Sequence, residues 1–367
     1  MISRRLFLQS ISASVFMPNA VWGDTRKNDI FISGSKQNGG YNISAFNRRG
    51  AVQYDIALPE RAHAIAINPT TNQGAIFARR PDTFVVVFDS RTGHVSKTLN
   101  AKQHRHFYGH GYFSSDGRYL FSTEKNMKTG QGLIGVWDAK DSYKRIDEIP
   151  AYGIGPHEMA IMPDNKTMVV AVGGIQTMDR QKMNIDTMQP SLNYIDTHSG
   201  VLIGKYSLAQ QHHTLSIRHL DISSDGTVAF ACQDQRNKGR ATSLVGLHNV
   251  EGLGDNKLRL MDTPDTIIQK QKRYCGSVKI DKGNSFVAVS SPRGNSINIW
   301  DLKNQHVIES INFDDSCGIA STQNNNEFLL SSGSDGCMLY NAKTKYKEFL
   351  NTDFTLLKSW DNHVIGI

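Results

Sequence analysis

A hydrophobic stretch closed by a polar turn recurs seven times in this chain. The copies are His63-Ala-Ile-Ala-Ile-Asn-Pro, His110-Gly-Tyr-Phe-Ser-Ser-Asp-Gly, His157-Glu-Met-Ala-Ile-Met-Pro-Asp, His219-Leu-Asp-Ile-Ser-Ser-Asp-Gly, Gly276-Ser-Val-Lys-Ile-Asp-Lys-Gly, Gly318-Ile-Ala-Ser-Thr-Gln-Asn-Asn and the terminal His363-Val-Ile-Gly-Ile. Successive copies lie 47, 47, 62, 57, 42 and 45 residues apart, two steps being lengthened by insertions. A second landmark keeps pace with the first, an apolar residue followed by Asp or Asn: Phe46-Asn47, Phe88-Asp89, Trp137-Asp138, Ile195-Asp196, Trp300-Asp301 and Tyr340-Asn341, with Leu247-His248 a degenerate seventh. Runs such as Phe84-Val-Val-Val-Phe and Met168-Val-Val-Ala-Val lie between the landmarks and show no helical period. Four short strands in each repeat of this length is the pattern of a β-propeller blade of the WD40/YVTN-like kind.

The expected fold is therefore all-β, a seven-bladed β-propeller. Residues 30–34, 41–46 and 51–56 supply three strands without an inner one, and His363–Ile367 reads as an inner strand without a blade. The C-terminal strand is expected to join the N-terminal blade and close the ring, which removes the exposed sheet edges that template aggregation.

The N-terminus carries Ser3-Arg4-Arg5-Leu6-Phe7-Leu8, then a short apolar stretch and the small residues Ala20 and Gly23. This layout resembles a twin-arginine (Tat) signal peptide. Residues 1–23 are read as the signal, cut before Asp24, and 24–367 as a single propeller domain. The apolar run is shorter than the roughly 20 residues of a membrane-spanning helix, so a periplasmic protein with no span after signal removal is expected. Loss of Arg4 and Arg5 lowers the net charge from +7 to +5, and no Lys/Arg run exceeds two residues. Nucleic acid is not an expected partner.

In a propeller, the connection into each inner strand lies at one mouth of the axial channel. Five of the seven begin with histidine: His63, His110, His157, His219 and His363. Converging imidazoles suit a transition metal, iron or copper ahead of zinc, better than Ca2+ or Mg2+; capping of neighbouring carbonyls by each ring is the open alternative. The turns between second and third strands fall on the same face and bring Arg79, Arg80, Glu124, Gln233, Asp234, Arg293 and Asp335 toward it. Glu124 and Glu158 are the carboxylates expected to join the ring, His106 a neighbour in the approach to His110, and Arg218 and Arg293 candidates for holding an anion. The insertion at 175–190 is expected to overhang the ring, with Met178, Met183 and Met188 as thioether ligands or an apolar cover. Cys275 and Cys317 share one repeat position, as further ligands, as a disulfide or as unrelated thiols. Cys232 and Cys337 read as ordinary strand residues, and no CxxC motif is present.

The Tat motif together with HRHFYGHGYFSSDGRYL (His104–Leu120), GPHEMAIMPD (Gly155–Asp164) and RHLDIS (Arg218–Ser223) resembles one bacterial family of Tat-exported propellers of unassigned biochemistry. The resemblance covers nearly the whole chain. Members of that family occur beside imelysin-like and di-haem-peroxidase-like proteins in iron-acquisition gene clusters, which implies a periplasmic role in iron uptake or handling and other iron-uptake proteins as partners. It brings no catalytic residues. A looser likeness is to the propeller of nitrous oxide reductase, whose axial histidines hold copper, but the second copper domain of that enzyme is lacking here. Three function classes follow: a metal-binding protein of iron or copper acquisition, a metal-dependent oxidoreductase or hydrolase, and a protein-interaction scaffold. Propeller lactonases rely on carboxylate and amide ligands for a hard cation, and an imidazole-rich ring argues against that chemistry.

Overall fold

In a computed structural model of the chain, which describes residues 29–79, 82–178, 181–236, 238–249 and 257–367, seven four-stranded antiparallel sheets form a seven-bladed β-propeller. The expected signal peptide and Arg80 lie outside the described residues. The inner strands are β1 (Ala62–Ile67), β2 (Arg105–Phe113), β3 (Pro156–Ile161), β4 (Leu215–Ile222), β5 (Ser277–Ile280), β6 (Ser316–Ser321) and β7 (Ser359–Gly366). Each packs against the next, and β7 returns to β1.

The strands after each inner one are buried in proportion to their depth in the stack. Phe84–Asp89 and Thr167–Val172 are apolar and buried almost throughout, because the neighbouring blades cover both faces. The outermost strand Lys144–Pro150 alternates toward solvent. Each fully buried large apolar side chain, Trp300, Phe88 and Phe328 among them, contributes about 1.5–3 kcal/mol of transfer free energy.

The Asp/Asn landmark has a local cause. Asp89 Oδ1 accepts hydrogen bonds from the backbone N–H of Arg91 and Thr92, at 3.0 and 2.8 Å. Asp196 does the same for His198 and Ser199, and Asn341 for Lys343 and Thr344. Each is a side chain closing the turn between third and fourth strands, a geometry that short Asp and Asn side chains favour. At the degenerate copy, His248 Nδ1 instead meets the Tyr194 hydroxyl at 2.7 Å inside the core.

Ring closure follows the expected route. β7 pairs antiparallel with Ile30–Gln37, from Phe31 opposite Gly366 to Lys36 opposite Ser359, and the N-terminal blade continues through Gly40–Asn47 and Val52–Leu58. Arg48 fastens the seam from outside, its Nη1 lying 2.8 Å from Asp29 and 2.6 Å from Glu327 of the preceding blade. No helix among the described residues is long and apolar enough to cross a membrane.

The inner strands differ from expectation in one respect. β2, β4 and β7 start earlier than their histidines, so His110, His219 and His363 lie inside strands rather than at their beginnings. A bulge causes this. Pairing of the inner strand with its neighbour slips at Ala62/Ile65 in β1, Phe107/Gly111 in β2, Pro156/Met159 in β3, Ile217/His219 in β4, Ser316/Ile319 in β6 and across Asp361–His363 in β7. β5, which carries no histidine, pairs without a slip.

Candidate metal centre

Each bulge inserts extra residues on the axial side of a blade, and the five histidines lie at or beside these insertions. Bulges re-aim side chains away from the regular alternation, and here they turn imidazoles from five blades into one cluster. Ring centroids are 4.9 Å apart for His63–His110, 4.5 Å for His63–His363, 4.6 Å for His110–His157, 4.6 Å for His110–His363 and 4.8 Å for His157–His219. Gly109 makes the approach possible. Its φ of +97° is open to glycine, and a Cβ there would stand 3.0 Å from the His63 ring. At the sixth blade Gly318 replaces histidine, and a Cβ would meet the His363 backbone at 3.0 Å.

Three overlapping sets bring their ligand atoms within 4.8 Å of one another: His63, His110 and His363; His110, His157 and His219; and Glu158, His219 and His363. Two rings are oriented by carboxylates. His63 Nδ1 lies 3.0 Å from Asp361 Oδ1, and His219 Nδ1 lies 3.1 Å from Glu158 Oε2. A ring that donates Nδ1–H to a carboxylate presents the lone pair of Nε2, the arrangement that raises ligand basicity in metal sites. The second oxygen of Glu158 is 3.9 Å from His110 Nδ1.

The remaining rings are short of partners. His110 Nε2, His157 Nδ1 and His363 Nε2 are buried without a hydrogen bond among the described residues. A buried polar atom left unpaired costs about 1–3 kcal/mol, so three cost roughly 3–9 kcal/mol, as much as the whole net stability of many domains. Each therefore calls for a partner that the described residues do not provide. Burial first, then repulsion from neighbouring imidazoles, holds His110, His157 and His363 well below the usual histidine pKa, and burial lowers His63 against the pull of Asp361. Four neutral rings at pH 7 are in the protonation state in which imidazole ligates a metal.

The surroundings are cationic on one side and mixed on the other. At the mouth, Arg61 Nε lies 2.6 Å from Asp361 and Arg79 lies 3.7 Å from it. Arg218 stands near His157, whose pKa it depresses. Lys182, on the short hairpin Thr177–Met178/Gln181–Lys182 of the insertion, is held below the usual lysine pKa by burial first and then by the Arg218 and Arg293 charges. Met188 of that insertion is buried and Met183 exposed; the side chain of Met178 lies outside the described residues. Deeper in the channel β5 supplies Lys279, whose Nζ lies 2.9 Å from Asp221; burial works against its charge, but Asp221 and Glu158 raise its pKa.

Several expected participants lie elsewhere. Glu124 is fully buried within its own blade, with Oε1 held by Arg145 at 2.6 Å and Ser122 at 2.7 Å, and does not join the cluster. The strand Tyr119–Asn126 runs past it, so the turn expected there begins later and the side chain points along the sheet toward Gly135. His106 is buried at the start of β2, before the bulge, and belongs to none of the three sets. Arg293 Cζ lies over the Tyr274 ring, 4.4 Å from its centre, in the pocket beside the cluster. All four cysteines are free thiols, so Cys275 and Cys317 are not bonded. Burial pushes Cys275 up to about 12 and Cys317 higher, which disfavours the thiolate that a metal requires, and no set includes sulfur among the described residues.

Asp361 escaped the sequence reading. Its signal was present, an acidic residue two positions before His363 in Trp360-Asp361-Asn362-His363, but regular alternation would have put both on one face of a plain strand with no sight of His63. No curated protein matches the chain. Residues 56–367 match the family described as "Protein of unknown function (DUF1513)", and the chain belongs to that family.

Proposed function

We propose that this chain binds a transition metal, iron or copper ahead of zinc, in the histidine cluster at one mouth of the propeller axis, as a periplasmic protein of metal acquisition or handling. The observation that carries the reading is the convergence of five imidazoles from five blades, three with an unpaired buried nitrogen and two oriented by carboxylates. His63, His110, His157, His219 and His363 would hold the ion, with Glu158 either a ligand or the group that orients His219. A bound metal supplies Lewis acidity or redox chemistry, and the chain's part is to keep the rings correctly oriented and buried. Export by the Tat route rests on the Ser3-Arg4-Arg5-Leu6-Phe7-Leu8 run, and the preference for iron, with iron-uptake proteins such as imelysin-like ones as partners, rests on the resemblance described above.

Titration of the metal-free protein with Fe2+ and with Cu+ tests this directly. The wild type takes up one equivalent of at least one of them, and a His110→Ala, His157→Ala double variant loses stoichiometric uptake. Absence of uptake by a folded wild-type protein overturns the metal reading and leaves the interaction scaffold.

A further inference from the structure

Beside the cluster the mouth opens into a pocket of about 450 Å3, within the roughly 300–1,000 Å3 range of small-molecule sites. Its lining includes Ala62, Asp361 and Asn362, the chain neighbours of His63 and His363, so pocket and cluster share a wall. Four cations line it, Lys36, Arg61, Arg79 and Arg293, against two carboxylates, Asp315 and Asp361. Asp361 is already divided between His63 and Arg61. Arg79 stands off at 3.7 Å, and neither Arg293 nor Lys36 has a carboxylate partner among the described residues: each lies over a tyrosine ring instead, Tyr274 and Tyr41. A cation resting over an aromatic face keeps N–H donors free for a carboxylate, and a guanidinium can give two of them at once.

The cations come from different blades. Arg61 and Arg79 flank the blade of β1, Arg293 belongs to that of β5, and Lys36 to the N-terminal blade. A ligand with several negative groups can engage cations from more than one blade at once.

We propose that this pocket is a binding site for a small polycarboxylate, held by Arg79, Arg293 and Lys36 and set against the histidine cluster. That the same molecule gives an oxygen ligand to the metal, so that the ion is handled as an anionic chelate, rests on the function proposed above; carboxylate binding itself does not.

Citrate is the probe, titrated calorimetrically into metal-free protein at about 0.15 M ionic strength, where exposed charges are screened. Saturable one-to-one binding is expected. It weakens at least about tenfold in the Arg79→Gln, Arg293→Gln double variant, which loses two charge-assisted contacts, and stays within about twofold of wild type in Val201→Ala, at an exposed residue outside the pocket lining. Arg293→Lys, which keeps the charge and loses the flat fork, falls between; thermal melting confirms that each variant is folded. Failure of the wild type to bind citrate, unchanged binding in the double variant, or displacement by an equal concentration of inorganic phosphate overturns the proposal. Citrate binding without any metal uptake overturns the metal reading and leaves the pocket standing.

Discussion

His63 Nδ1 and Asp361 Oδ1 lie 3.0 Å apart although 298 residues separate them in the chain, and the contact crosses the seam between β7 and β1. Closure of the ring and construction of the candidate metal centre are thus one event, since the strand that completes the N-terminal blade also brings Asp361 and His363. Arg61 and Arg79 flank the same carboxylate, and with the His63 hydrogen bond they hold Asp361 well below the usual carboxylate range despite its burial. Asp361→Asn is expected to keep the fold and to lower metal affinity about 10- to 100-fold, the usual effect of removing a carboxylate that orients a ligating histidine. Competition with a chromophoric chelator measures it; unchanged affinity would show that Asp361 does not act through His63.

Glu124 and Glu158 separate structure from function within one pair of substitutions. Glu124→Gln breaks a buried ion pair with Arg145 and is expected to cost about 3–5 kcal/mol of stability, read from the denaturant midpoint, with metal uptake intact. Glu158→Gln, at a half-buried side chain facing His219 and His110, is expected to weaken metal uptake with little loss of stability. The reverse pattern would mean that the two carboxylates have been assigned the wrong way round.

Closure rests on packing at β7. Trp360 is buried, donates its indole N–H to the Thr355 carbonyl at 3.0 Å, and has the Phe46 ring 5.0 Å away. Trp360→Ala is expected to cost about 3–5 kcal/mol. Val201→Ala, at an exposed position, is expected to stay within about 0.5 kcal/mol. Urea unfolding of the two side by side is the check.

Glu148 gives the pH dependence. Its hydrogen bonds from Arg105, then from Arg145, lower its pKa to about 2 against partial burial. The folded state therefore holds this carboxylate ionised at pH values where the unfolded chain protonates it, and the contribution is complete above the unfolded value near 4.5. It fades as pH falls toward 2. The difference in Tm between wild type and Glu148→Gln should be largest above pH 5 and shrink toward zero in acid; a difference independent of pH would rule out the linkage.

Much of the fold was legible because the repeating Asp/Asn landmark is itself a piece of turn chemistry. Asp89, Asp196 and Asn341 close their turns by local hydrogen bonds, so a local pattern reported a global period. The five histidines were legible because they occupy one place in that period. The residues around them were harder to place. Bulges in the inner strands add residues that break strict alternation, and a one-residue slip sends a side chain to the other face. Arg105 and His106 therefore read as an approach to His110, and residues 359–362 fell outside the strand expected from His363, when all of them are strand. Asp361 faces the axis unannounced for the same reason; Lys279 lies on β5, which pairs without a slip, and was passed over inside its own repeat, while Glu124 was expected in a turn that begins only after its strand has run past it.

The most direct test of the central claim is the location of the metal. Crystals of protein loaded with iron or copper, measured at the absorption edge of that metal, should show one anomalous peak enclosed by His63, His110, His157, His219 and His363, and none in His110→Ala, His157→Ala. A loaded protein with no ordered peak, or with its peak away from these rings, would contradict the account.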